Sequence, residues 1–305
     1  MRWKGKTVLV TGGTGFIGSF VVEHLLDAGA KVRVPLRSEN YRSLSSRRSE
    51  VEWMEGDLRD TAYCQELVRG VDFVFHMASC RRTPKAHRQK CGDIAQENVR
   101  MTLALLEALR EEEMSVPVVF FSTANVPPDL DVIALAQHET VDGYVLGKAL
   151  SETLWFTAAK QRGFPLLILR PVGVYGPRDT FADDANIIPA FFVKARDGKK
   201  ELRVWGTGEE ERAFLYVEDL VDALFQLLQE DVRGIQYITS GEVVSIDTLV
   251  TAIRDLVRPG FPIIYDAEKA LSPRAIPQLP LHEALTSFRW TPLKEGLRKT
   301  YESWK

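Results

Sequence analysis

Thr11-Gly12-Gly13-Thr14-Gly15-Phe16-Ile17-Gly18-Ser19 is the stretch that decides the fold of this chain. An apolar run, 7–10, precedes it. Segment 16–28 follows, with Phe16, Ile17, Phe20, Val21, Leu25 and Ala28 at helical spacing. Gly12, Gly15 and Gly18 stand three residues apart. A strand, a tight glycine turn and a helix bring backbone N–H groups and a positive dipole end to one point. A Cβ at those glycines would hold a pyrophosphate away from it. In this strand-to-helix setting the motif indicates a dinucleotide site. A tight turn that merely packs a helix is the plainer alternative.

Working outward, apolar runs alternate with helical patterns. Strands are expected at 32–36, 51–54, 73–77, 116–122 and 166–170. Helices are expected at 64–69, 94–110 and 144–162. Alternation of this kind predicts an α/β fold, a Rossmann-like doubly wound parallel sheet covered on both faces. The pattern changes after Pro171, where glycines, prolines and charges cluster. Residues 1–175 therefore read as a dinucleotide-binding domain, which also receives a segment near 214–240. Residues 176–305 read as a smaller C-terminal α/β substrate-binding region.

Composition narrows the class. The chain has 305 residues, 45% hydrophobic and 27% charged, with a net charge of −3. That excludes a disordered chain and argues against a nucleic-acid binder. Cys64, Cys80 and Cys91 are too few and too odd in number for a disulfide framework. No apolar run approaches the ~18 residues of a membrane span, and the first residues do not read as a signal peptide. A cytoplasmic protein without membrane contact is expected.

The second strand bears on the dinucleotide. An NAD site usually carries an acid about 20 residues beyond the glycines, for the ribose 2′-hydroxyl. The window 31–37 has none, and Arg37 stands where a guanidinium can meet a 2′-phosphate, with Arg42 a second candidate. This points to NADP(H); Glu39 keeps NAD(H) open. Asp57 ends the third strand, where it either accepts from the adenine amino group or serves as a turn aspartate.

Tyr144-Val-Leu-Gly-Lys148 places a phenol and an ammonium on one helix face. A cation ~4 Å from the phenol at an effective dielectric of ~20 is worth about 4 kcal/mol, or roughly three pKa units. Partial ionisation near neutral pH is therefore expected of Tyr144. Ser122 and Thr123 end the fifth strand, at the edge where such sheets collect ligands. A hydroxyl there can hold a substrate oxygen while Tyr144 moves its proton.

Together these residues resemble the extended short-chain dehydrogenase/reductases, the nucleotide-sugar epimerase/dehydratase family. The likeness runs through 11–18, 56–58, 76–79, Asn98-Val99, 122–123, 144–148, 170–177, 204–208, Arg212 and 215–219. It implies Thr123, Tyr144 and Lys148 as the catalytic set. It implies a cofactor held by Gly12, Thr14, Gly15, Phe16, Ile17, Gly18, Arg37, Asp57, Leu58, Met77, Ala78 and Lys148. The implied substrate is a nucleotide-diphosphate sugar, met by Thr123, Asn186, Arg212 and Arg274. A homodimer through the two long helices is also implied, with Leu150, Leu154 and Trp155 available for it or for the core.

Departures narrow the reaction. Family dehydratases resemble Thr-Asp-Glu where this chain has Thr123-Ala124-Asn125, so elimination lacks its acids. The second half is most similar to GDP-fucose synthases, whose epimerising Cys and His are replaced here by Ala124 or Asn125 and by Asn186. Hydride transfer at sugar C4 remains, as 4-keto reduction or 4-epimerisation. The competing readings are a ketone reductase for a non-sugar metabolite and a non-catalytic NADP-binding module. The basic segment 81–90 reads as a loop, either solvated or attracting anions. His76 reads as structural, Cys80 as a packed thiol, and the histidines show no metal spacing.

Overall fold

The computed structural model describes residues 3–37, 42–81, 83–128, 131–139, 141–182, 185–269 and 280–305. The chain divides into two compact units. The first comprises Met1–Arg170 and Leu224–Gln236; the second comprises Pro171–Ala223 and Tyr237–Lys305.

In chain order the first unit runs β1 (Thr7–Thr11), α1 (Phe16–Asp27), β2 (Lys31–Leu36), β3 (Val51–Glu55), α2 (Thr61–Val68) and β4 (Phe73–His76). It continues with α3 (Pro84–Gln89), α4 (Cys91–Glu111), β5 (Val118–Phe121), α5 (Val132–Gln137), α6 (Gly143–Arg162) and β6 (Leu166–Pro171). Beyond come β7 (Gly173–Tyr175), α7 (Ile187–Asp197), β8 (Leu202–Trp205), β9 (Glu211–Tyr216), α8 (Val217–Gln229) and β10 (Gly234–Ile238). The chain closes with β11 (Val243–Ser245), α9 (Ile246–Val257), β12 (Ile263–Asp266) and α10 (Leu293–Glu302).

Seven strands form one sheet in the order β10-β6-β5-β4-β1-β2-β3. The pairs from β3 through β6 are parallel. The order 3-2-1-4-5-6 reverses between β1 and β4, and ligands of doubly wound sheets collect at that crevice. Burial explains the alternation. Val8, Leu9 and Val10 of β1 are wholly buried, as a strand covered on both faces must be. α4 turns Ile94, Asn98, Thr102, Leu105 and Leu109 inward, a spacing of three to four residues. Leu9, Leu67, Leu105, Phe120, Trp155 and Ile168 meet in the core of this unit. In the second unit Phe192, Tyr216, Leu249 and Leu297 do the same around the sheet β11-β9-β7 and the pair β12-β8.

Local chemistry moves several expected boundaries. The helix expected at 64–69 begins at Thr61, because Asp60 accepts from the Ala62 and Tyr63 N–H groups. Segment 215–228 is the end of a strand and then a helix. Segment 81–90 is not all loop. Thr83 caps α3, accepting from Ala86 N–H, and Pro84 occupies its first position. Trp155 is fully buried, so it serves the core rather than an outer face.

Candidate active site

The glycine loop joins β1 to α1 and lies against the end of β4. Thr11 Oγ1 accepts from the Met77 and Ala78 N–H groups, each at 3.1 Å. With both its lone pairs used, its hydroxyl donates to His76 Nδ1, 3.0 Å away. His76 Nε2–H then donates to Thr102 Oγ1, which donates to Ser151. Burial, with Lys148 nearby, pushes His76 down to about 3, so it is neutral. It is structural, as expected.

Gly12 has φ +72°, and a Cβ there would stand 2.8 Å from the Ala78 nitrogen. A Cβ on Gly18 would run into the Gly12 carbonyl oxygen. These glycines are required by backbone packing. Gly15 is the N-cap of α1 and supplies no side-chain cap, and the first turn holds no acid. The orphan N–H groups there suit a pyrophosphate. The described residues therefore fit a dinucleotide. Thr14, Phe16 and Ile17 are partly exposed on the same turn, and Leu58 is in the core.

Arg37 is exposed just beyond β2. Asp57 is a turn aspartate in this structure: it accepts from Arg59 N–H at 2.9 Å and pairs with the Arg59 guanidinium at 2.5 Å. Arg59 also pairs with Glu97. The Arg59 hydrogen bonds hold the Asp57 carboxyl below its ordinary range, against burial and with help from Arg37.

The Tyr-x-x-x-Lys pair lies in the first turns of α6. Asp142 caps this helix, accepting from the Tyr144 and Val145 N–H groups. Gly143 has backbone of Cys91 where its Cβ would be, so the helix starts hard against α4. Lys148 is buried and donates to the Phe121 carbonyl oxygen at 2.6 Å. Its Nζ is 4.8 Å from the Phe120 ring centroid and 5.8 Å from that of Tyr144. Thr123, two residues past β5, is buried, and its Oγ1 accepts from Asn125 N–H. Ser122 Oγ is buried with no hydrogen-bond partner. Val126, Val145 and Ala149 pack with Tyr144 and join the Thr123 turn to α6.

The expected ionisation is reversed here. Burial pushes Tyr144 above its ordinary range and Asp142 adds to it; Arg81 and Ser79 pull the other way without winning. Burial also pushes Lys148 down to about 7, with Glu152 opposing and Arg81 assisting. An attraction large enough to ionise the phenol needs a fully charged lysine ~4 Å away. Desolvation of both groups outweighs it.

Residues 8–242 match the NAD dependent epimerase/dehydratase family. The chain belongs to that family. The reductase of dTDP-4-dehydro-6-deoxy-D-allose from a Streptomyces species is 29% identical, over 98% of this chain and 96% of that one. A UDP-N-acetyl-alpha-D-glucosaminuronate decarboxylase of Bacillus cytotoxicus is 31% identical, over 90% and 88%. Among solved structures, UDP-N-acetylglucosamine 4-epimerase from Methanobrevibacter ruminantium superposes with a TM-score of 0.82 at 25% identity, covering 99% and 98%.

As a member of this family the chain is an NAD(P)-dependent enzyme with the Rossmann-like sheet described. Of the expected substrate contacts, Thr123 belongs to the first unit, and Asn186 and Arg212 to the second. Asn186 precedes α7, with its Nδ2 3.4 Å from Asp179 Oδ2. Arg212 is on β9 and donates to the Glu211 carbonyl. Arg274 and Glu39 fall outside the described residues, as does the side chain of Arg42. The sequence marked 81–90 only as a basic segment and did not place Arg81 or His87 beside Tyr144. Ser79 Oγ is buried and makes no hydrogen bond of ordinary geometry, though it is near enough to the phenol to favour phenolate. Arg81 lies 5.9 Å over the phenol ring, and the buried His87 stacks on it. Their place just beyond β4 was the available signal.

No helix among the described residues is long and apolar enough to cross a membrane. No described cluster of His, Cys, Asp and Glu could hold a metal ion.

Proposed function

We propose that this enzyme reduces a 4-keto nucleotide-diphosphate sugar, with Tyr144 as the proton donor. The observation that carries the direction is the phenol's ionisation: burial keeps Tyr144 protonated at neutral pH. A protonated phenol suits delivery of a proton to the ketone oxygen as it becomes an alkoxide. Thr123 orients that oxygen. Lys148, held by the Phe121 carbonyl, lies close enough to stabilise the phenolate left behind. The nicotinamide, when bound, supplies the hydride. Arg212, with Asn186 and Arg274, takes the diphosphate and sugar, since a guanidinium suits bidentate phosphate contact.

A reductase of a dTDP-4-dehydro sugar is among the relatives, which supports the same direction. Arg37, exposed at the end of β2, supports NADP(H) over NAD(H). The reading includes a homodimer in the cytoplasm. Leu103 of α4 and Phe156 of α6, 40% and 50% exposed, are the apolar side chains that would meet a second copy.

The test is oxidation of NADPH by the pure protein with 4-keto-6-deoxy sugars of dTDP, GDP and UDP. Turnover with one of them, abolished in Tyr144→Phe, is the expected result. No turnover with any, alongside tightly bound NAD and interconversion of C4 epimers, would establish the 4-epimerase instead. Failure of dTDP, UDP and GDP to raise the melting temperature would favour a non-sugar ketone.

A further inference from the structure

We propose that His87 is a positioning residue for Tyr144, holding the phenol ring by stacking and the start of its helix through Asp142. The imidazole lies parallel to the phenol, with ring centroids 5.5 Å apart and 13° between planes. Its Nδ1 is 3.5 Å from Asp142 Oδ1. That same oxygen accepts the N–H groups of Tyr144 and Val145. One side chain from α3 thus touches both the reacting ring and the carboxylate that sets where α6 begins. His87 is buried, unlike its neighbours Arg88, Gln89 and Lys90, which face solvent. α3 is anchored by the Thr83 cap, so the imidazole arrives on a short, fixed element.

The charge pattern gives the contact a chemical consequence. Asp142 pushes the phenol up, away from ionisation. Burial works against the Asp142 carboxylate, but its bond and attraction to His87 and the two backbone N–H groups outweigh burial and hold it ionised. The His87 contact therefore occupies an oxygen of the carboxylate whose negative charge opposes ionisation of Tyr144. Among the described residues, Arg81, from the segment after β4, and Lys148, on α6, also lie near the phenol ring. Without His87 the Asp142 carboxylate loses that contact, and the ring loses its parallel support. Small displacement of a reacting group costs up to about 100-fold in rate.

This inference rests on the proposed role of Tyr144. The experiment compares His87→Ala, His87→Phe, His87→Asn and Tyr144→Phe in the NADPH assay, with folding checked by melting temperature and cofactor binding by NADPH fluorescence. His87→Ala is expected to lower kcat about 10- to 100-fold with NADPH affinity within about twofold. Its alkaline limb in the pH profile should move to higher pH. His87→Phe should regain most of kcat, because a ring still stacks, while keeping the shifted limb. His87→Asn should restore the limb more than the rate. A His87→Ala protein with native kcat and native pH profile would overturn the proposal. So would a loss that tracks unfolding and that neither replacement relieves. Activity retained in Tyr144→Phe would instead overturn the role of the tyrosine itself.

Discussion

Lys148 Nζ donates to the Phe121 carbonyl oxygen across 2.6 Å, binding α6 to the end of β5. The bond sets the ammonium beside the last turn of strand before Thr123. It also places a cationic group in a buried setting, with a measurable effect on stability.

Lys148 titrates near 7 in the fold against an ordinary value of 10.5. The unfolded chain therefore binds more protons between those values, and this group's contribution makes stability rise with pH across them. Below about 7 the cost of burying the ammonium is fully present. Lys148→Met should be inactive. Its stability relative to the native chain should be most favourable near pH 6 and least near pH 10, a difference on the order of a few kcal/mol. Urea unfolding at a series of pH values measures it. A difference that does not change with pH would exclude a displaced lysine titration.

Glu152 and Arg170 form an ion pair of 2.5 Å with both side chains 3% exposed. Breaking a buried pair from one side leaves an unpaired buried charge. Glu152→Gln or Arg170→Met should each cost about 3–5 kcal/mol. The double variant Glu152→Leu with Arg170→Met should recover most of it. Removing the carboxylate also removes what holds the Lys148 pKa up, so Glu152→Gln should shift the activity profile. Denaturation and a pH–rate series separate the two effects.

Gly18 has no room for a side chain against the Gly12 carbonyl. Gly18→Ala should destabilise the protein by about 1–3 kcal/mol. NADPH should raise the melting temperature of the native chain but not that of Gly18→Ala, because the α1 N-terminus must move. An unchanged response to NADPH would remove the loop from cofactor binding.

Arg37→Ala should lower kcat/KM for NADPH relative to NADH by about 10- to 100-fold. That is the equivalent of one charge-assisted hydrogen bond to a 2′-phosphate. Parallel assays with the two cofactors measure the ratio. An unchanged ratio would move the selectivity to another residue.

The order of strands and helices was legible because each element declares itself locally. The glycine spacing, the buried runs of β1, β4 and β5 and the periodicity of α4 and α6 are read from neighbours three or four residues apart. Boundaries set by short-range chemistry were less legible: Asp60 starts α2 early, and Thr83 with Pro84 makes a helix in a basic segment that reads as loop. Asp57 offered two readings from its residue type, and only Arg59 and Glu97 in place made it a paired turn aspartate.

By itself, the sequence determined a Rossmann-like sheet, a glycine loop at the start of α1 and a tyrosine and lysine on one helix face. Tertiary structure decided how that face behaves. His87 and Tyr144 are far apart along the chain and become parallel rings only when α3 packs beside α6. Trp155 became core, and Ser79 and Arg81 came to surround the phenol. The ionisation of Tyr144 and Lys148 was decided the same way. Spacing gives the attraction between two groups, but desolvation depends on everything packed around them, and in this fold desolvation is the larger effect.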